Sequence, residues 1–111
     1  MDWIQLTSEQ QLDAIVQKSF EKPQVLFKHS TRCSISSTAL QRLEKAQPPA
    51  GVDFHFLDLL SYRNISKKIA DRFKIDHESP QVLVIKNGVC IYDESHLGIY
   101  MADIADLAIA S

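Results

Sequence analysis

Cys33 is the residue of this chain whose type and position best suit chemistry. It lies in Lys28-His29-Ser30-Thr31-Arg32-Cys33-Ser34-Ile35-Ser36, directly after the apolar run Val25-Leu26-Phe27. An amphipathic stretch follows, with Ile35, Ala39, Leu40 and Leu43 spaced to share one helical face. A cysteine at such a strand-to-helix junction has its sulfur near helical N–H groups that lack partners, where negative charge is favoured. The thiolate is the reactive form of cysteine, and the neighbouring Arg32 acts in the same direction. Three residues on, where a redox dithiol would carry its second cysteine, this chain has Ser36. A serine cannot resolve a mixed disulfide, so the chemistry suggested is monothiol, with a mixed-disulfide intermediate that outlasts that of a dithiol protein.

The residues around the thiol have more than one use. Ser36 can donate a hydrogen bond to the Cys33 sulfur one turn away, or simply satisfy backbone groups in a first helical turn. Ser30 and Thr31 are candidate helix caps. Thr31, Arg32 and Ser34 are candidate substrate contacts, Arg32 as an exposed cation that could steer an anionic thiol ligand. The second cysteine, Cys90, sits in the apolar strand Val89-Cys90-Ile91, where cysteine is commonly buried and inert. His29, His55, His77 and His96 are scattered singly and show no metal-ligand spacing. His29 reads as a strand-end histidine in a polar loop; a Cys33–His29 hydrolase would need a third group and an oxyanion site that the sequence does not offer. Asp53 and Asp58 frame a strand without an assignable proton-transfer role.

The elements that must position Cys33 follow from periodicity. Trp3–Leu6 reads as a short strand. Thr7 or Ser8 then caps a helix, with Gln10 or Gln11 near its third position and Leu12, Ile15, Val16 and Phe20 as its inward stripe. Pro23 ends that helix, and Gln24–Lys28 is a buried strand. The Cys33 helix runs to about Ala46 and is stopped by Pro48-Pro49 and Gly51. Val52–Asp58 alternates as a strand, and Ser61–Phe73 is helical with Ile65, Ile69 and Phe73 on one side. After Ser79-Pro80 comes the β-branched strand Gln81–Lys86, an Asn87-Gly88 turn and the strand Val89–Tyr92. A last helix covers roughly Tyr100–Ala110, with Ile104, Leu107 and Ala108 inward. The order β-α-β-α-β-α-β-β-α predicts an α/β fold: parallel pairs, an antiparallel hairpin edge, and a central mixed sheet with helices on both faces. Ligands of such sheets meet the carboxyl ends of the strands, and Cys33 is at one such end.

The chain has 111 residues, enough for one domain over 1–111 with a single modest core. Its formal net charge of -2, with no basic run longer than Lys67-Lys68, argues against nucleic acid as a partner. The apolar runs are too short to span a bilayer. No leader pattern is visible after Met1, and two cysteines do not make a disulfide framework, so a reducing cytoplasmic location is expected.

With the cysteine after the second strand and Ser79-Pro80 ahead of the hairpin, the whole chain resembles the thioredoxin fold. More narrowly, Thr31-Arg32-Cys33-Ser34-Ile35-Ser36 together with the Asn87-Gly88 hairpin is similar to the YtxJ family of monothiol bacilliredoxins. That family typically shows Cys-Pro-Ile-Ser; here Ser34 stands in the proline position. The resemblance implies removal of bacillithiol from proteins that carry it as a mixed disulfide, with Cys33 attacking the bacillithiol sulfur. Bacillithiol would be a cosubstrate, no cofactor would be tightly bound, and the partners would be bacillithiolated clients and a thiol reductant. Pro80 would correspond to the fold's cis-proline, with Ser79 offering backbone hydrogen bonds to an extended substrate segment. Monothiol glutaredoxins with Cys-Gly-Phe-Ser, some of which hold iron–sulfur clusters, share the single-cysteine logic. This chain, however, lacks the glycine after Cys33 and has His96-Leu97-Gly98-Ile99 in place of their Gly-Gly pair. The other reading is a thioredoxin-like binding or redox-sensing adaptor whose cysteine does not turn over.

Overall fold

A computed structural model describes residues 1–109. Its five strands are β1 (Ile4–Gln5), β2 (Gln24–His29), β3 (Asp53–Asp58), β4 (Gln81–Lys86) and β5 (Val89–Ser95). Its helices are α1 (Gln10–Lys18), α2 (Ser34–Lys45), α3 (Arg63–Phe73) and α4 (Met101–Ile109), with a 3₁₀ turn at His96–Gly98 before α4. Ala110, placed in the last helix by its periodicity, lies outside the described residues.

The strands form one sheet in the order β1-β3-β2-β4-β5. β1 and β2 both run parallel to β3, whereas β4 is antiparallel to β2 and to β5. The mixed sheet is thus as expected, but the β3-α3-β4 connection reverses direction instead of making a parallel crossover.

Strand alternation sorts the core onto two faces. Leu26, Leu57, Leu83 and Ile85 point toward α1 and α3, where they meet Leu12, Ile15, Ile65 and Ile69. Val25, Phe27, Phe54, Val82 and Val84 point the other way, against Ala39 and Leu43 of α2 and Ile104 and Ala108 of α4. Every residue of β2 is buried, which fits its place at the centre of the sheet.

Two inward assignments from periodicity do not hold. Phe20 is 59% exposed because α1 ends at Lys18; beyond that end its ring lies over the β4–β5 turn against Gly88. Ile35 is 40% exposed: in the first turn of α2 it projects beyond the end of the sheet, so only Ala39 and Leu43 of its stripe are fully buried. Leu107 is only partly covered, while Ile104 and Ala108 are buried.

The turn chemistry is as the residues suggest. Asn87 and Gly88 both take positive φ, 53° and 81°, the combination a tight hairpin needs. At the start of α1 the cap is reversed from expectation: Gln11 Oε1 accepts from the N–H groups of Thr7 (2.7 Å) and Ser8 (2.9 Å).

Candidate functional site

Cys33 is the N-cap residue of α2, with extended backbone (φ -110°, ψ 120°) and partial exposure. Its position follows from the local chain. β2 ends at His29, and a tight turn closed by Cys33 N–H to Ser30 O (3.2 Å) re-aims the backbone before the helix begins. Neither Ser30 nor Thr31 caps the helix, contrary to expectation, and no side chain does. Cys33 itself holds the N-cap position, the residue from which a serine or aspartate oxygen would normally meet the first N–H groups of a helix. Thr31, Arg32 and Ser34 are exposed around it, and Arg32 makes no ion pair among the described residues.

Ser36 does not serve the sulfur. It is fully buried, accepts from Ser30 N–H at 3.0 Å and lies 2.7 Å from His29 Nδ1. The same hydroxyl thus ties the end of β2 to the backbone of the turn, sharing one hydrogen bond with the His29 ring and one with Ser30 N–H. Burial lowers the His29 pKa and keeps the ring neutral, against the opposing influence of Asp58. His29 is thus a buried member of β2 and not a loop residue. Its ring packs against Phe27 and Phe56, on the same face as α2. Period-2 alternation through Val25-Phe27-His29 carried that signal.

Ser79-Pro80 is a cis peptide bond, in line with the resemblance. Antiparallel pairing matches Lys28 to Gln81, so one step further along the register Pro80 stands opposite His29, beside the turn that carries Cys33. Pro80 is buried, its carbonyl accepts from His96 N–H at 3.0 Å, and the Ser79 hydroxyl oxygen is buried without any hydrogen-bond partner.

Cys90 belongs to another part of the molecule. It pairs with Ile85, which pairs with Gln24, at the opposite end of β2 from Cys33. Five residues of strand at about 3.3 Å each put some 16 Å between those ends, while a disulfide needs Cα atoms within about 7 Å. Burial pushes the Cys90 thiol up to about 11, and its sulfur donates to Tyr92 O at 3.3 Å. An intramolecular Cys33–Cys90 bridge is incompatible with this fold.

Two buried polar groups have partners that the sequence did not indicate. Lys28 is 1% exposed on the α3 side of the sheet, with Nζ donating to Ser66 O and His77 Nδ1, each at 3.2 Å. His55 has Nε2 2.8 Å from Gln24 Oε1 and a buried Nδ1 with no partner. Lys28 falls within the strand Gln24–Lys28 read as buried, but a lysine is so seldom fully buried that its residue type gave no sign of these partners. Asp53 holds Lys22 at 2.9 Å, and Asp58 accepts from Leu60 N–H and the Ser61 hydroxyl, so both carboxylates have structural roles. No group of three or more histidine, cysteine or acidic side chains among the described residues is arranged to hold a metal ion. No described helix is long and apolar enough to cross a membrane.

Known proteins share this architecture. One solved structure, described as having a thioredoxin fold, superposes with a TM-score of 0.81 at 28% identity, over 93% of this chain and 90% of the other. Fasciola hepatica thioredoxin gives 0.73 at 14% identity, covering 94% of each chain. Spinach chloroplast thioredoxin f gives 0.72 at 16% identity, over 96% of this chain and 92% of the other. These last two speak to the fold alone. Residues 4–104 match the family described as monothiol bacilliredoxin BrxC. A partly exposed cysteine at the N-cap position of α2, a cis-proline loop beside it and a family match over nearly the whole chain make this a thiol–disulfide redox protein, a member of the monothiol bacilliredoxin BrxC family.

Proposed function

We propose that this protein removes bacillithiol, or a similar low-molecular-weight thiol, from protein mixed disulfides through Cys33 alone. The observation that carries the reading is the isolation of that thiol. Cys33 is the N-cap residue of α2 and partly exposed, while Ser36 is committed to His29 and Cys90 lies at the far end of the sheet. In the first step the Cys33 thiolate attacks the bacillithiol sulfur of the client's mixed disulfide. A Cys33–bacillithiol disulfide forms, and the client leaves as a thiolate that takes a proton from water. In the second step an external thiolate attacks that new disulfide and restores Cys33, the two electrons coming from the reductant thiols. No bound metal or organic cofactor is required; bacillithiol is a cosubstrate.

The neighbours have distinct parts in this scheme. The Ser79 backbone holds an extended substrate segment beside Pro80, and exposed Thr31, Arg32 and Ser34 border the low-molecular-weight thiol. Ser36 acts through position: it fixes the turn from β2 into α2 that presents the sulfur. The expected partners are bacillithiolated clients and a thiol reductant, in the reducing cytoplasm.

The test is to incubate the reduced protein with a bacillithiolated model protein and, separately, with its glutathionylated form, following intact mass. Transfer of bacillithiol to Cys33 in preference to glutathione is expected. Absence of transfer from either substrate, with both still reducible by a dithiol, would assign the fold to a non-catalytic binding or sensing role.

A further inference from the structure

A second feature lies at the same end of the sheet as Cys33 but on the opposite face of β2. The first turns of α3 and the loop before Ser79 enclose a pocket of about 270 Å³ lined by Leu59, Arg63, Ser66, Lys67, Ala70 and His77. No acidic side chain lines it. Arg63 and Lys67 make no ion pair among the described residues, in contrast to Lys68 and Arg72 further along the same helix, which pair with Glu9 and Asp13. Behind the wall lies Lys28, buried and bonded to two lining residues, Ser66 and His77, with no carboxylate partner among the described residues. His77 Nδ1 lies 3.2 Å from both Lys28 Nζ and the Ser66 hydroxyl, so it accepts, and in the neutral ring the proton sits on Nε2. A buried ammonium is ordinarily paired, because desolvating it alone is costly. This one has only neutral partners, Ser66 and His77, and two further cations, Arg63 and Lys67, line the pocket in front of it.

We infer that this pocket binds a carboxylate of the low-molecular-weight thiol, with Arg63 and Lys67 meeting it directly and Lys28 supplying a fixed positive charge behind Ser66 and His77. The inference deepens the proposed function and rests on it for the identity of the ligand. The location is suitable on two counts. Leu59 N–H donates to His29 O at 2.9 Å, tying the pocket's rim to the end of β2. His77 stands two residues before Ser79, so a ligand joined to Cys33 and running beside the cis-proline segment is led toward it. Bacillithiol ends in a malyl group with two carboxylates, whereas a thiol such as cysteamine has none. The pocket is thus a specificity determinant that selects the thiol by its anionic end.

The experiment has two arms on the full chain. In the first, malate is titrated into the reduced protein, followed by amide chemical shifts. Saturable shifts centred on Ser66, Lys67 and His77, absent in Arg63→Gln/Lys67→Gln, are expected. Shifts elsewhere, or unchanged in that variant, would overturn the assignment. In the second, thiol transfer is measured from the same client carrying bacillithiol or cysteamine. The double variant should raise KM about five- to tenfold for the bacillithiolated client, as expected of two exposed charge contacts, with kcat and the cysteamine reaction unchanged. Equal losses for both substrates would mean that the cations meet the client and not the thiol, which overturns the inference. Malate binding at the pocket in a wild-type protein that transfers no thiol would instead defeat the proposed function and leave the carboxylate site standing.

Discussion

Ser36 shows how a residue beside the reactive group can matter without touching the chemistry. The Cys33-Ser34-Ile35-Ser36 spacing invites a serine-to-sulfur hydrogen bond, and the sequence supplies no means to choose against it. The structure does, because His29 is the next inward residue after Phe27 and claims the hydroxyl at 2.7 Å. Ser36→Ala leaves the Ser30 N–H and the His29 ring nitrogen buried without their partner. Such losses cost roughly 1–3 kcal/mol, to be read as a lower midpoint of urea unfolding at unchanged slope. The variant should still accept bacillithiol on Cys33, at a rate reduced only as far as the turn loosens. Complete loss of transfer in a folded Ser36→Ala protein would return the serine to the reacting atoms. At the same scale, Cys90→Ser should leave transfer close to wild type, since its thiol is held at about 11 by burial and lies beyond reach.

Among the elements, β2 carries most of the functional information. Its burial was readable from the apolar run Val25-Leu26-Phe27, and so were the helix after Cys33 and the Asn87-Gly88 hairpin, because each is written in local residue types. The reversal of β4 and the exposure of Phe20 and Ile35 were not readable: strand direction and helix-end placement are set by packing, not by period. The cis bond at Pro80 was accessible through family resemblance and not through the Ser-Pro pair itself. Lys28 is the case where chemistry overrode pattern. Burial lowers its pKa from 10.5 to about 8. The folded pKa of this base is thus below the unfolded one. Keeping its charge in the core therefore destabilises the fold most fully below pH 8, and the penalty fades as pH rises from 8 to 10.5. Lys28→Met should raise stability at pH 7 by roughly 1–3 kcal/mol, as for other unpaired buried charges, with the difference between the two proteins shrinking toward pH 10. A large loss of stability in Lys28→Met at pH 7 would show that its hydrogen bonds to Ser66 and His77 outweigh the desolvation.

Across the whole molecule, three histidines have pKa values lowered chiefly by burial: His29, His55 and His77. His55 is the clearest, at about 4 against an ordinary 6.5. With the folded value below the unfolded one, stability is fully present above pH 6.5 and is lost as pH falls toward 4, where the unfolded chain binds protons that the folded one refuses. The His55 contribution alone is about 3 kcal/mol across that window. A series of unfolding midpoints between pH 7 and 4 should show this fall, and His55→Gln should have a visibly shallower one. An identical slope in both proteins would assign the acid sensitivity to other groups.

The proposed function reduces to a single claim: one thiol, Cys33 at the N-cap position of α2, takes the low-molecular-weight thiol and holds it until another molecule removes it. The most direct measurement is the intact mass of wild type, Cys33→Ser and Cys90→Ser after reaction with a bacillithiolated client, with no reductant added. The account predicts one bacillithiol adduct on wild type and on Cys90→Ser, persisting over time, and none on Cys33→Ser. Loss of the adduct from wild type with formation of an internal disulfide, or its failure to form on Cys90→Ser, would contradict it.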